Sequence, residues 1–230
     1  MAAARRWEPK LRAILKPFVP AIRATVFAVL LFASAGRWNI PQFWAYFAVQ
    51  ALRGLGYGLA CDASIIAERL RPTEDSTDRK RVIILRLVAG AHLIAAGLDV
   101  GRFQWTGTVP FGLHVVGFLG LASFGGLFIW SMATNRFFSS AVRIQKERGH
   151  HVVTSGPYRY VRHPGYTAAI ASMACSPFAL GSWVSAVPAA LFIVLVLRRT
   201  IVEDAYLRSE LVGYTAYADR TRYHLFPCVW

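Results

Sequence analysis

Apolar residues in this chain come in blocks separated by charged or proline- and glycine-rich breaks. Four blocks, at about 21–35, 41–67, 82–100 and 109–133, approach or exceed the roughly 20 residues a helix needs to cross a bilayer core. Pro41 suits the first turn of the second block. Gly54 and Gly58 fall on one face of that block, where another backbone can approach closely. They are not a dinucleotide loop, because no strand precedes them and the third glycine is misplaced. A fifth apolar region, about 165–197, is interrupted by Pro177 and by Gly181-Ser182. It is too long for one span and short for two, which predicts a tight hairpin of helices Tyr166–Leu180 and Trp183–Leu197 turning near Gly181. The pattern predicts an all-α, polytopic bundle of about six spans. No period of 20–50 residues repeats, so a solenoid is not supported.

Composition sharpens this picture. The chain of 230 residues is 55% hydrophobic and 17% charged, below the roughly 25% charged residues of soluble domains. Its formal net charge of +14 would suggest nucleic acid in a soluble protein. Here the basic residues flank the apolar blocks, as membrane topology demands, and no groove-reading module accompanies them. Segments 1–20, 69–81, 136–163 and 198–230 hold nearly all the Lys and Arg, against little beyond Arg37 and Arg102 on the other side. That asymmetry predicts both termini in the cytoplasm of a multi-pass protein of bacterial inner-membrane style. Residues 1–20, with Pro9, Pro17 and Pro20, read as a surface segment on anionic lipid, followed by an uncleaved first helix. Cys61, Cys175 and Cys228 form no CxxC pair, so neither a disulfide framework nor a metal site is expected. Arg53, Asp62 and His92 fall within spans, where ionisable groups are functional candidates by default. Asp62 is near enough to a span end to be interfacial.

The chemistry concentrates in two polar segments near the C-terminus. The first, GHHVVTSGPYRYVRHPGYTAA at 149–169, packs His150, His151, Tyr158, Tyr160, Arg162, His163 and Tyr166 into one stretch. Gly156-Pro157 is a turn signal, and Pro164 both ends any preceding helix and opens the next. Arg162 and His163 therefore flank the mouth of the hairpin, at a helix N-terminus whose free N–H groups favour a ligand carboxylate. The second segment, residues 198–227, opens with Arg198, Arg199, Glu203 and Asp204. Arg199 and Glu203 are spaced to share a helix face, as an ion pair or as a site. Tyr214 and Tyr217 either cap a pocket or pack. Membrane anchoring alone explains single Arg and Tyr residues; it does not require two His, Gly-Pro and Arg-His-Pro in fixed order.

These residues resemble the isoprenylcysteine carboxyl methyltransferase family, especially its small bacterial members. The family pattern is a His, a Val-Thr-x-Gly-x-Tyr run and Arg-His-Pro-x-Tyr, then an acidic pair with Leu, Gly-Tyr-x-x-Tyr and a late Pro. Here it reads His150, Val153-Thr154, Gly156-Pro157-Tyr158 and Arg162-His163-Pro164-Gly165-Tyr166, then Glu203-Asp204, Leu207, Gly213-Tyr214, Tyr217 and Pro227. NRFFSSAVRIQ at 135–145 also looks like the bacterial branch. The likeness spans about residues 130–230 and divides the chain into an N-terminal part, 1–134, and a catalytic part, 135–230. Asp204 replaces the second Glu that is common in the family, and Gly165 stands where small or Met residues are usual.

The resemblance implies S-adenosylmethionine as methyl donor, in a cytoplasmic pocket lined by His150, Val153, Gly156, Pro157, Tyr158, His163 and Tyr166 and completed by Glu203. Arg162 and Arg199 become the candidates to hold the substrate. Physical chemistry fits such a reaction. A carboxylate acceptor needs no general base, only alignment and exclusion of water, and an Arg can grip it bidentately. An amine acceptor is protonated at neutral pH and would need a base such as Glu203 or His163. The expected substrate is amphipathic or prenylcysteine-like, its tail between helices and its head at the cofactor. The alternatives are methylation of a phospholipid amine, a non-catalytic protein that binds lipid or a partner through its basic face, and a related membrane reductase with a nicotinamide cofactor.

Overall fold

The computed structural model describes residues 19–70 and 75–230, and all regular structure in them is helical. The expectation for the basic N-terminal segment falls, up to residue 18, outside the described residues. The first helices are α1 (Val19–Ala35), α2 (Pro41–Ala60), α3 (Ala63–Leu70) and α4 (Ser76–Gly97). They are followed by α5 (Phe111–Thr134), α6 (Pro164–Leu180), α7 (Ala186–Glu210) and the short α8 (Tyr214–Arg220).

Local chemistry sets the boundaries. Pro41 opens α2 as its spacing predicts. The expected second block is not one helix, however: Cys61 is extended and ends α2, and the Asp62 carbonyl accepts from Ile65 and Ile66 to start α3. The charged loop at 69–81 is shorter than expected, because the Asp75 carboxylate accepts from the N–H groups of Thr77 and Asp78 and starts α4 at Ser76. Beyond Gly97, α4 winds into a π-helical turn, Leu98–Phe103. Pro164 opens α6, and Gly181, in the left-handed region at φ 73°, ends it and turns the hairpin. The second hairpin helix runs past its apolar part: α7 continues through Arg198 as a polar extension to Glu210.

The core between α1, α2, α4, α5 and α6 is built from Leu31, Phe43, Leu93, Leu121 and Leu180. The longest helix contact is α5 on α6, and glycines make it close. A side-chain carbon on Gly117 would come within 2.4 Å of the Ala179 nitrogen, and one on Gly120 within 2.3 Å of Cys175 Sγ. Gly58 faces open space within this chain, and close backbone approaches are made by Gly117 on α5 and by Gly97 and Gly101 at the end of α4, against Leu31 and Ala35 of α1.

The outside of the bundle is apolar. Leu59 is 89% exposed, Leu87 67% and Val187 73%. Among the described residues two helices, Thr77–Phe103 and Phe111–Thr134, are long and apolar enough to cross a membrane, and Ala24–Ala35 is a shorter apolar helix. Fewer helices qualify than the six spans expected. Helix α6 has only 17 residues, α2 carries Gln50 and Arg53 mid-length, and the apolar part of α7 runs into Arg198 and Arg199.

Candidate active site

Residues 135–163 cross from α5 to α6 over one end of the bundle. Buried Gln145 holds this crossing in shape. Its Nε2 donates to the Phe137 carbonyl at 2.7 Å, its backbone N–H donates to His150 Nδ1 at 3.2 Å, and its Oε1 accepts from Arg148 at 2.6 Å. The crossing is strapped to the first helices by an ion pair and a hydrogen bond. Arg143 donates to Glu68 on α3 at 2.7 Å, and the Val142 N–H donates to Asp78 on α4 at 3.1 Å.

Beneath it, Arg162 and Asp204 form a buried pair, Nε to Oδ1 at 2.8 Å. Asp204 also accepts from Tyr214 Oη at 2.8 Å, from Arg208 at 3.0 Å and from His163 Nε2 at 3.2 Å, with His224 at 3.4 Å. Burial pushes the Asp204 carboxyl up, but these donors outweigh it and hold the group well below the usual carboxylate range. The Arg162 Nη1 group donates to the carbonyls of Thr221 and Arg222, each at 2.8 Å. The chain after α8 is thereby drawn back onto the Arg-His-Pro turn. The N–H groups of Arg162 and His163 meet the carbonyls of Tyr223 and His224, each at 2.9 Å, and Thr167 Oγ1 donates to Leu225.

A second chain of contacts runs through Arg199. It pairs with Asp78 at 2.7 Å, donates to the Ser140 carbonyl at 2.8 Å, and donates from Nε to Tyr166 Oη at 2.8 Å. Tyr166 in turn donates to Glu203 Oε2. The two residues expected to share a helix face therefore communicate through Tyr166, and the cation is paired with Asp78 rather than with Glu203. An arginine has five N–H donors. Four are engaged in Arg162, by Asp204 through Nε and Nη2 and by the carbonyls through Nη1. Four are engaged in Arg199 as well. The bidentate grip on a substrate carboxylate is closed to both in this arrangement, since each has one N–H left.

The other expected residues gather at the same end. His150 stacks on Phe137 with ring centres 4.4 Å apart. Burial, then the charges near His151, Arg143 and Arg148, lowers its pKa to about 4, so it is neutral at pH 7. His151 is exposed, meets the Gly149 carbonyl and the edge of Phe137, and also borders the cavity. Gly156 adopts φ 57°, and a side-chain carbon there would meet Thr134 Oγ1 at 2.8 Å, so the turn needs glycine. Pro157 is buried beside it. Tyr158 donates to the Ser131 carbonyl and accepts from Asn135, each at 3.3 Å, and burial pushes its phenol well above its ordinary value. His163 stacks beside Tyr166 at 5.8 Å. Tyr214 and Tyr217 border the cavity and also pack on Leu211 and Ala218, while their hydroxyls bond Asp204 and the Tyr158 carbonyl.

One cavity of about 800 Å³ connects all of this. Its polar end is bordered by His150, Val153, Tyr158, His163, Tyr166 and Glu203, and it continues between the helices past Phe27, Leu30, Leu121 and Phe128. Gly156 and Pro157 shape the turn behind it without bordering it. Sequence reasoning missed Glu68, Asp78, Arg143 and Gln145. Only Asp78 carried a local signal, as the third residue after the cap Asp75. Of the isolated polar residues, Asp62 is exposed at the break between α2 and α3. Arg53 borders the cavity and lies across Gly125, and His92 is buried with both ring nitrogens bonded.

Residues 118–209 match the model of the isoprenylcysteine carboxyl methyltransferase family. The match takes in most of α5, the crossing, α6 and nearly all of α7, and stops before the Gly213-Tyr214 stretch and the tail. No curated protein matches the chain.

Proposed function

We propose that this chain, a membrane methyltransferase of the isoprenylcysteine carboxyl methyltransferase family, O-methylates the carboxylate of an amphipathic substrate at the cytoplasmic end of its bundle. Members of that family use S-adenosylmethionine. The observation that carries the reading is the single cavity, which joins a chamber of hydrogen-bonding side chains to a channel between apolar helices. A molecule that is polar at one end and greasy at the other fits both parts at once. The charge asymmetry of the chain supports cytoplasmic placement of the polar end and of both termini.

The chamber's donor set suits the cofactor. Glu203 borders the cavity as a carboxylate steadied by Tyr166, able to accept from ribose hydroxyls or an ammonium. His150 is neutral and His163 presents an aromatic ring beside Tyr166. Val153 and Tyr158 form part of the wall, and Gly156 and Pro157 shape the turn behind it. Bound there, the cofactor supplies an electrophilic methyl group on a sulfonium. A carboxylate oxygen needs no base to attack it, so the protein's tasks are alignment and exclusion of water. Arg162 and Arg199 are positioning residues in this account. Arg162 fixes the tail through Asp204 and the carbonyls, and Arg199 fixes Glu203 through Tyr166, while the single remaining N–H of each can still meet the acceptor. Residues 135–230 thus carry the site, and 1–134 supply much of the channel.

The test is product chemistry. Reconstituted protein given methyl-labelled donor and long-chain carboxylic acids should yield label that mild base releases as methanol. Base-stable label on phospholipid would overturn the carboxylate assignment in favour of an N-methyltransferase.

A further inference from the structure

The apolar channel has a blind end. Among the described residues the cavity borders nothing deeper than Tyr46 on α2, Leu93 on α4, Leu121 on α5 and Ser176 on α6. Tyr46, Leu93 and Leu121 are buried and belong at the same time to the packed core beneath. Leu31, Phe43, Ala96, Ala179 and Leu180 fill that core, each without exposed surface, so a chain entering from the polar end is stopped there. Hydrogen bonds stiffen the floor. Ser176 Oγ lies 2.7 Å from His92 Nε2 and 3.3 Å from Tyr46 Oη, and His92 Nδ1 donates to the Ser185 carbonyl at 2.9 Å. These groups bond one another and tie α2, α4 and α6 together at one level. The depth of the channel follows from the helices. From Tyr166 at the polar end to Ser176 is about 15 Å of α6 at helical rise. From Glu203 to Phe192, the last residue of α7 on the cavity, is about 17 Å.

We infer that this floor is a ruler for the substrate's tail, admitting three isoprene units and refusing a fourth. The inference rests on the proposed methyltransferase reading and takes the prenyl chemistry of the tail from the family. What it adds is the length. An extended chain covers about 1.2 Å per bond, and each isoprene unit contributes four bonds. Three units therefore reach about 14 Å and four about 19 Å. The shorter tail ends on the floor. The longer one overshoots it, so its last carbons must displace Leu93 or Leu121 or stay behind in the polar chamber. A unit that enters the channel tightens binding by the apolar surface it buries, and a unit with no room adds nothing.

The experiment uses the full chain in nanodiscs. N-acetylcysteines carrying S-prenyl groups of two, three and four isoprene units compete against a fluorescent three-unit analogue, in wild type, Leu121→Ala and Ala89→Leu. Ala89 borders the channel about 6 Å above Leu93, so a leucine there raises the floor by about one unit. In wild type the three-unit tail should bind at least about ten-fold tighter than the two-unit tail, and the four-unit tail no tighter than the three-unit one. Leu121→Ala deepens the channel and should improve the four-unit tail about three- to ten-fold relative to the three-unit tail. Ala89→Leu fills space instead of emptying it, so it decides the matter where Leu121→Ala fails to fold; it should make the two-unit tail bind at least as tightly as the three-unit tail. A four-unit tail that gains a further ten-fold in wild type, equal binding of all lengths, binding of none, or a preference unmoved by Ala89→Leu or by folded Leu121→Ala would each overturn the ruler. Titration of the same samples with S-adenosylhomocysteine separates the two claims. Absence of that binding with the length preference intact sinks the methyltransferase site and leaves the ruler standing.

Discussion

Asp204 and Asp99 are both buried aspartates, and they stand at opposite ends of the molecule. Asp99, in the π-helical turn after α4, accepts from the Thr106 N–H at 2.8 Å, from the Thr106 hydroxyl and from Ser182 Oγ at 2.5 Å. Ser182 lies just before α7, and from Ser185, the residue that precedes this helix, to Asp204 is about 28 Å at helical rise. At the far end of that rod, Asp204 gathers two arginines, two histidines and a tyrosine. Asp99 fastens a turn to a hairpin with neutral donors, away from the cavity. Asp204 binds the Arg-His-Pro turn, α8 and the tail into one charged framework beside it. The fold is closed at one end by hydrogen bonds from neutral donors, and the site is held at the other by ion pairs around a buried carboxylate. Geometry that must be kept for chemistry is kept by charge.

The comparison can be broken most directly at Asp204. Asp204→Asn leaves Arg162 buried without its counter-ion, and removing one partner of such a pair costs about 3–5 kcal/mol. Denaturation should show that loss, and cofactor-analogue binding should disappear with it; retention of both would refute the framework. At the other end Asp99→Asn should cost about 1–3 kcal/mol by leaving a donor unpaired, with analogue affinity unchanged by calorimetry. Gly117→Ala, which drives a carbon against the Ala179 backbone, should lower stability by about 1–3 kcal/mol, whereas Gly58→Ala, in open space, should not.

The smaller effects sharpen the site. Glu203→Gln should weaken the cofactor analogue about ten-fold or more, the scale of a hydrogen bond to a charged group, while leaving thermal unfolding nearly in place. His150 gives a pH signature. Its pKa is lowered from 6.5 to about 4 in the folded chain, so its contribution is whole above about pH 6.5 and is lost as pH falls toward 4. The half-buried ring is partly screened, which reduces the expected loss to about 1 kcal/mol. His150→Gln should flatten that limb of the stability profile, and an unchanged limb would assign it elsewhere.

Much of this was legible in the residues. The hairpin could be read because Gly181 and Pro164 punctuate an otherwise continuous apolar run, and the polar motifs stood out because lipid-facing helices do not need them. What escaped reading is what depends on distance along the chain. Asp78 and Arg199 are 121 residues apart, and no periodicity links them. The glycines at the close α5–α6 contact look no different in sequence from Gly58. Arg162 and Arg199 carried the right chemistry for gripping a carboxylate, and only their partners show how few donors each has left.

S-adenosylmethionine is expected to bind at the polar end of the cavity. Calorimetric titration of the detergent-purified chain with S-adenosylhomocysteine, with NADPH as control, addresses it most directly. The account predicts saturable one-to-one binding of the former alone, weakened by Glu203→Gln. No binding in protein shown to be folded, or binding of NADPH instead, would contradict it.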